Sequence, residues 1–350
     1  MAREQGTEQR RLLVKVIVAV AVVVVFLVAY NLIWRKDEDA LVVYCAHDSV
    51  YSEVVLRDFE KRTGIRVVPK FDTEATKALG LVEQLIAEKD APRADVFWNN
   101  ELLGIMQLQD AGVLQPYKGK GYQRIPPAFR DPDGHWVGFG ARMRVYIVNT
   151  DKMAATPEAV EAAMAADDLS RVAMAKPLYG TTLTHYSVLW NALGGLGLKE
   201  QRSDWLRRGL KEVGGNADVK DLVAEGVCDL GWTDTDDFRD AKEAGQPVEA
   251  VPARTPEGRT ICIPNTVAIV RGTWHLERAQ ALVDFLLSAE TEEVLANSKA
   301  GQIPLGPVNE DNLPAHVLRF SGWARDGAEL GELGAARNAC IEWLKAEQMK

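Results

Sequence analysis

The stretch that decides the fold is residues 41–71, which read LVVYCAHDSVYSEVVLRDFEKRTGIRVVPKF. Leu41–Cys45 is a short apolar run whose β-branched valines favour a strand. Ser49 is a good helix cap, and Gly64 suits the left-handed residue that follows the end of a helix. Ile65–Phe71 then predicts a second strand. This order of strand, helix and strand predicts two parallel strands joined by a crossover helix.

The same alternation of strands and helices continues along the chain. It predicts an α/β fold with a parallel sheet, in which ligands bind at the carboxyl ends of the strands. The further predicted elements are a helix at Leu79–Ile86, a strand at Ala94–Trp98, a helix at Glu101–Asp110, strands at Arg171–Ala175, Asp229–Trp232 and Val248–Pro252, and a surface helix at Ala328–Met349.

Two long extended runs, Trp136–Thr150 and Thr266–Val270, divide the chain. Because they bracket an inserted α/β stretch, they predict two lobes joined by a two-strand hinge, with a cleft between the lobes. The predicted first lobe comprises residues 41–143 and 268–350. The predicted second lobe comprises residues 144–267.

The composition excludes several classes of protein. With 350 residues, of which 47% are hydrophobic and 26% charged, the chain is typical of a folded globular protein. Its net charge of −9 argues against a nucleic-acid binder, which needs a basic surface. The four cysteines form no Cys-x-x-Cys pair, which disfavours a zinc ribbon. No nucleophile elbow, zinc-protease, dinucleotide or P-loop motif is present, so an enzyme is disfavoured.

The N-terminal segment predicts a membrane anchor. Val16–Trp34 contains 19 residues without a charge, enough to span the roughly 30 Å of a bilayer core. Arg10, Arg11 and Lys15 precede it, which favours a cytoplasmic N-terminus and an exported remainder. We therefore expect residues 1–36 to be a retained signal anchor that holds the rest at the membrane, facing the periplasm or the cell exterior. The exported part then carries 35 basic and 48 acidic residues, a net charge of −13.

Three blocks of sequence carry a resemblance to a known family. They are VVYCAHDSVYSEVVLRDFEKRTGIRV, ADVFWNNELLGIMQLQDAGVLQPY and HWVGFGARMRVYIVNTDKM, at residues 42–67, 94–117 and 135–153. In order and spacing the chain resembles the extracellular solute-binding proteins of ATP-driven importers, most closely their ferric-iron branch, from about Leu41 to Val308. The resemblance implies a type II-like periplasmic-binding-protein fold. It also implies a monomer that is not an enzyme and whose partner is an ABC permease.

The resemblance places several candidate ligands in the cleft. A histidine follows the first strand in the ferric branch, and His47 stands near that position. An acidic residue follows the ADVF strand in that branch, where this chain has Asn100. The branch also has two adjacent tyrosines after a Gly-x-x-Asp strand. Here Asp236 and Asp237 occupy those positions, so the phenolate pair is missing.

Three interpretations of this acidic segment stay open. Ferric iron favours anionic oxygen, so Asp236 and Asp237 could replace the phenolates, and Mg²⁺, Ca²⁺ or Mn²⁺ would accept the same ligands. Alternatively, Asp234 caps a helix whose first turn favours acidic residues for structural reasons. A third interpretation is that the aspartates accept hydrogen bonds from sugar or amine groups of an organic ligand.

Two further groups of residues predict an anion site. Arg142 and Arg144 are alternate residues of a strand, so both guanidinium groups point the same way and could hold a carboxylate, carbonate or phosphate. The structural alternative is a pair of arginines in surface ion pairs. The turn that contains Tyr179, Gly180, Thr181 and Thr182 offers backbone amides and hydroxyl groups at a probable helix start. It falls where the family's second-lobe ligand loop lies.

Together these features predict the substrate-binding component of an ABC-type importer. Its first expected ligand is ferric iron, or another hard cation held with a synergistic anion; Fe³⁺ would be cargo and not a catalytic cofactor. The alternative ligand is a small phosphorylated or carboxylated organic anion in the same cleft. A membrane-anchored hydrolase and a sensor that does not transport are the remaining alternatives.

Overall fold

The computed structural model describes residues 40–72, 79–331 and 333–348. The predicted anchor, residues 1–36, lies outside the described residues. Within the described ranges, no helix is both long enough and apolar enough to cross a membrane. The strands are β1 Leu41–Cys45, β2 Val67–Phe71, β3 Val96–Asn99, β4 Leu114–Gln115, β5 Val137–Asn149, β6 Val172–Ala175, β7 Lys211–Val213, β8 Leu230–Asp234, β9 Val248–Pro252 and β10 Cys262–Val270.

As far as Glu243 the helices mostly alternate with these strands, as the sequence predicted, and the last four helices follow β10 in succession. They are α1 Ser49–Thr63, α2 Leu79–Ala87, α3 Leu103–Asp110, α4 Pro157–Ala165, α5 Gly180–Arg207, α6 Asn216–Ala224, α7 Thr235–Glu243, α8 Leu276–Leu286, α9 Ala289–Asn297, α10 Ala315–Ala324 and α11 Gly334–Gln348.

The predicted strand–helix–strand unit is confirmed. β1 runs parallel to β2, with Leu41 opposite Val67, and parallel to β3 on its other side. Between β1 and β2, helix α1 begins at Ser49 and is followed by Gly64, whose φ of 71° is a conformation that glycine adopts without a Cβ clash. The carboxyl ends of β1 and β3 therefore meet at one edge of the first sheet.

Strand β5 links two lobes. Eight of the ten described strands form one path in the order β2, β1, β3, β10, β5, β8, β6, β7, while β4 pairs with β10 and β9 with β5. Residues up to Met143 of β5 pair with β10, whereas residues from Arg144 onward pair with β8 and β9. The same strand is thus shared by a first and a second sheet, and the predicted two-lobed α/β architecture is confirmed. The chain returns to the first sheet between β9 and β10.

The C-terminal helices lie against the second lobe. Phe320 of α10 packs with Phe238 of α7, at 6.3 Å between ring centroids, and Trp343 of α11 packs with Trp190 of α5 at 5.8 Å. Residues 268–350 were predicted to belong to the first lobe. From these contacts we propose instead that the segment bridges both lobes, and that the return crossing lies before β10.

The last helix is also more buried than the sequence predicted. It begins at Gly334, and Cys340 and Leu344 are buried. These two residues are four apart and so share one helix face. The other side of the helix faces solvent, so the predicted surface helix is present, and the sequence did not indicate which of its sides packs against α5.

Helix α5 is bent in the middle. Gly194 has φ 72° and ψ 158°, which is not a helical conformation, so the helix consists of two halves that meet at this residue. Glycine is the residue that reaches this φ without strain. Residues from both halves, His185 and Trp205 among them, border the same region of the second lobe.

Candidate functional site

A polar pocket lies between the lobes; we call it the cleft pocket. Its volume is about 280 Å³. The first lobe and the linking strand contribute Asp48, Asn100 and Arg142. The second lobe contributes Ala175, Lys176, Tyr179, Gly180, Thr181, Thr182, Gly215, Asn216, Ala217, Asp234, Asp236 and Asp237.

The topology explains why these residues meet. β6 and β8 are parallel neighbours, so the segments that follow them emerge at the same edge of the second sheet. The segment after β6 leads into α5, and β8 leads directly into α7. This is the edge at which α/β proteins bind ligands. The structure therefore brings together most of the site residues that the sequence singled out.

Arg144 and Asp234 form a buried ion pair at the base of the pocket. They are opposite each other in the β5–β8 register, with Arg144 Nη1 2.8 Å from Asp234 Oδ1, and their side chains are 0% and 3% exposed. Thr181 Oγ1 and Asn216 Nδ2 donate hydrogen bonds to Asp234 Oδ2 at 2.6 and 3.0 Å. The carboxylate thus joins β5, β8 and the first residues of α5 and α6, and it positions both helix starts.

Arg142 connects the two lobes. Its Nη1 donates to Asp236 Oδ2 at 3.0 Å, and its Nη2 donates to the Asn100 carbonyl oxygen at 2.8 Å. Asn100 follows β3 in the first lobe, whereas Asp236 lies in the first turn of α7 in the second lobe. Arg142 also lines the pocket, so a bound anion would share its charge with Asp236.

Three carboxylates cluster on one wall of the pocket. One ligand oxygen from each of Asp234, Asp236 and Asp237 lies within 4.8 Å of the others. Burial, together with the charges of Asp236 and Asp234, raises the pKa of Asp237 to about 8. Burial also raises the pKa of Asp236, although the Arg142 guanidinium opposes this effect. At neutral pH the Asp237 carboxyl therefore mostly carries a proton, and the other two carboxylates each have an arginine.

Two helix starts open on the pocket beside Asp234, which accepts hydrogen bonds from Thr181 and Asn216. Gly180 is the first residue of α5 and Asn216 the first residue of α6, and both line the pocket. The first N–H groups of a helix have no partner within the helix, and the helix dipole places partial positive charge there. Two such ends in one pocket favour an anionic group.

Asn100 adds an unused acceptor. The residue is 8% exposed and lines the pocket, and its Oδ1 has no hydrogen-bond partner in the described part of the chain. A buried amide oxygen without a donor carries a free-energy cost. A hydroxyl or amino group of a ligand would supply the missing donor.

One predicted site residue, His47, lies outside the cleft pocket, and another, Tyr179, lies at the pocket with its hydroxyl already bonded. His47 is buried, stacks on Trp98 at 5.2 Å between ring centroids, and has Gln302 Nε2 2.6 Å from its Nε2. It does not line the cleft pocket. Tyr179 does lie at the pocket, but its hydroxyl donates to the Gly214 carbonyl oxygen at 2.7 Å.

Sequence reasoning missed the second helix start. Asn216 and Ala217 are the first two residues of α6. The sequence Gly214-Gly215-Asn216 before an amphipathic run is typical of a helix N-terminus and could have indicated this site. Asp218 Oδ2 accepts from the Gly215 N–H at 3.0 Å, as in a capping box. No sequence pattern around Lys176 or Asp48 indicated that they line the pocket.

Asp237→Asn is expected to make stability less dependent on pH. An aspartate in the unfolded chain ionises near pH 4, whereas the pKa of Asp237 in the fold is about 8. Between these values the folded state keeps a proton that the unfolded state has released. The contribution of this carboxyl to the free energy of unfolding therefore falls as pH rises, and it levels off above about pH 8.

Urea unfolding of the wild type and Asp237→Asn at about pH 5 and about pH 8.5 measures this difference. Asp240→Asn, an exposed acid on the same helix, is the matched control and should follow the wild type. An identical pH profile for the wild type and Asp237→Asn would show that the carboxyl ionises normally.

Comparisons with known proteins agree with this architecture. The family model described as bacterial extracellular solute-binding protein matches residues 55–315. An uncharacterized protein of Haemophilus influenzae is 25% identical over 299 residues, which cover 75% of this chain and 80% of the relative.

Two solved structures share the fold. The ferric binding protein from Campylobacter jejuni has a TM-score of 0.77 and 19% identity, over 87% of this chain and 98% of that one. The periplasmic binding protein AfuA from Actinobacillus pleuropneumoniae, solved with exogenous fructose-6-phosphate bound, has a TM-score of 0.72 and 20% identity, over 89% and 99%. The protein thus belongs to the bacterial extracellular solute-binding protein family, as a solute-binding component of an ABC-type importer and not an enzyme.

Proposed function

We propose that this protein captures a small phosphorylated or carboxylated organic anion, one that also carries hydroxyl or amino groups, and delivers it to an ABC permease. The observation that carries the proposal is the convergence of two helix starts on a pocket in which the clustered acids are already neutralised. Asp234 is paired with Arg144 and Asp236 with Arg142, while Asp237 holds a proton at neutral pH.

The anionic end of the ligand would lie between the starts of α5 and α6. There the N–H groups and the Thr182 hydroxyl line the pocket, and Lys176 supplies a positive charge that pairs with no carboxylate of the described residues. Arg142 would share its charge between Asp236 and the anion. A volume of about 280 Å³ is much larger than a single ion needs and is close to the lower end of small-molecule sites. The fructose-6-phosphate in the similar AfuA structure is a ligand of this chemical class.

The hydroxyl or amino groups would face the acidic wall. Asp237 and Asp236 can accept hydrogen bonds from such groups, and the unpartnered Oδ1 of Asn100 points to a further donor on the ligand. Asn100 and the aspartates lie in different lobes. A ligand that contacts both would stabilise the closed arrangement of the lobes, which is the expected basis of capture.

Ferric iron, held with a synergistic anion, is the second candidate ligand. The close approach of three carboxylate oxygens, within 4.8 Å, favours it, as does the similarity in fold to a ferric binding protein. A trivalent cation would displace the proton from Asp237 and compete with Arg142 for Asp236. Arg142 would have to leave Asp236, and Arg144 would have to leave Asp234, before both carboxylates could bind the metal. The organic anion is therefore the better-supported cargo.

Ala217→Asp separates the two candidates. Ala217 is an exposed residue in the first turn of α6 and lines the pocket, so an aspartate there suits the helix dipole and leaves the fold intact. Its negative charge would repel an anion at the helix start. We expect Ala217→Asp to weaken fructose 6-phosphate binding by at least about tenfold, since like charges in contact cost several kcal/mol. Ala217→Asn is the matched control.

Calorimetric titration of the full chain with fructose 6-phosphate, and separately with ferric citrate, measures both ligands. Binding of the sugar phosphate that Ala217→Asp weakens and Ala217→Asn retains supports the organic anion. Saturable ferric binding that Ala217→Asp leaves intact, without sugar phosphate binding, would make iron the cargo instead of the organic anion.

We also propose that residues 1–36 tether the protein to the membrane. Recovery of the full chain in the soluble fraction would contradict this tether.

A further inference from the structure

A second cavity lies within the second lobe; we call it the rear cavity. Its volume is about 650 Å³, and its wall includes Tyr146, His185, Leu189, Trp205 and Trp232. Among the described residues it shares no lining residue with the cleft pocket. We propose that the rear cavity binds a small, uncharged and largely apolar molecule that carries one hydrogen-bonding group. This site is separate from the proposed cargo site.

The bend in α5 creates the cavity. His185 and Leu189 lie before the break at Gly194, and Trp205 lies after it, yet all three line the same space. A straight helix of this length could not place its two halves around one cavity. The strands β5 and β8 close the space with Tyr146 and Trp232.

The wall is aromatic and preformed. Trp232 lies between two other rings, with centroid distances of 4.9 Å to Tyr146 and 5.2 Å to Trp205. An apolar and aromatic floor with polar groups at its edge, and a volume between about 300 and 1,000 Å³, are the usual properties of small-molecule sites. The space is open to solvent, so an apolar occupant would gain by displacing water from the tryptophan and tyrosine rings.

His185 supplies the polar contact. It is 2% exposed, and its Nδ1 has no hydrogen-bond partner in the part of the chain that the structure describes. Burial, and secondarily the charge of Arg144, hold the pKa of His185 well below its ordinary value, so the imidazole is neutral at physiological pH. A neutral imidazole offers one donor and one acceptor. The nitrogen itself is shielded, so a ligand hydroxyl would reach it after a small rotation of the imidazole and would then satisfy a buried group that is otherwise costly.

The rim explains why the occupant is uncharged. The acids Glu161 and Asp204 are balanced there by Arg208 and Arg254. Arg208 pairs with Asp204 at 2.8 Å and donates to the Met164 carbonyl oxygen, so its charge is already used. A rim without net charge neither attracts nor repels an ion strongly. The apolar wall and His185 would therefore determine which molecule binds.

The test uses 4-fluorophenol, which has one hydroxyl, and fluorobenzene, which has none. Titration of the full chain in lipid nanodiscs, followed by fluorine NMR, separates saturable binding from partition into lipid. We expect 4-fluorophenol to bind with one site per chain and about tenfold more tightly than fluorobenzene. His185→Phe should abolish that difference. Glu161→Trp, an exposed rim substitution that leaves the core unchanged, should block both probes.

Asp237→Asn is the control for the cleft pocket and should leave both titrations unchanged. The absence of saturable binding, or binding that both rear-cavity variants leave intact, would overturn the proposal. So would loss of binding in Asp237→Asn. If His185→Phe fails to fold, Glu161→Trp alone decides the location of the probes. Each outcome is independent of whether the cleft binds fructose 6-phosphate.

Discussion

Replacing Arg144 with methionine is expected to lower the free energy of unfolding by about 3–5 kcal/mol. The side chain is fully buried, and its partner Asp234 is 3% exposed, so the substitution leaves a carboxylate in the interior without its counter-charge. Thr181 and Asn216 would still donate to Asp234, but neutral donors cannot replace the guanidinium. Urea unfolding at neutral pH measures the loss.

Two controls define this effect. The double variant Arg144→Met with Asp234→Leu removes both charges and should recover most of the lost stability. Arg171→Met breaks an exposed pair with Asp229, and it should cost no more than about 1 kcal/mol. Equal losses for Arg144→Met and Arg171→Met would mean that the buried pair has no special weight.

Arg142→Met is expected to weaken binding of fructose 6-phosphate by about 100-fold. Arg142 is one of two basic side chains that line the cleft pocket, with Lys176, and hydrogen bonds to charged groups contribute about 1.5–3 kcal/mol each. The substitution also frees Asp236, whose carboxylate would then repel the anion. Because Arg142 is hydrogen-bonded to the Asn100 carbonyl, its loss removes a contact between the lobes as well.

Calorimetry on the purified full chain measures this prediction, with Arg142→Lys as the conservative variant. Lysine keeps the charge but not the two-pronged geometry, so we expect a loss of about tenfold. Unchanged affinity in Arg142→Met would remove Arg142 from the site. Arg171 pairs with Asp229 and does not line the pocket. An equal loss of affinity in Arg171→Met would therefore point to a general effect of net charge.

Local patterns were sufficient for most of the fold. β1 and β9 coincide with the predicted strands, and Gly64 ends α1 in the left-handed conformation that its position predicted. Such features depend on residues close in sequence, where periodicity and capping decide the structure. The packing of α11 depends on contacts with α5, more than 130 residues away in sequence, and no local pattern carries that information.

The candidate site shows the same division. The sequence could indicate that Arg142 and Arg144 share one side of a strand and that Asp236 and Asp237 start a helix. It could not indicate that Arg144 faces Asp234, because that pairing is set by the register of β5 against β8. The neutralisation of Asp234 follows from this register, and the proposed preference for an anion depends in part on it.

Strand β5 has one further consequence, for how such a protein acquires new cargo. The two arginines lie on either side of the point where β5 passes from one sheet to the other, close to the line about which the lobes would turn. Groups near an axis of rotation move little, whereas the helix starts at the pocket wall move more. We expect substitutions at residues such as Ala217 to change which ligand binds and to leave the closing motion of the lobes unchanged. The arginine pair on β5 and the residues at the helix starts could thus evolve independently.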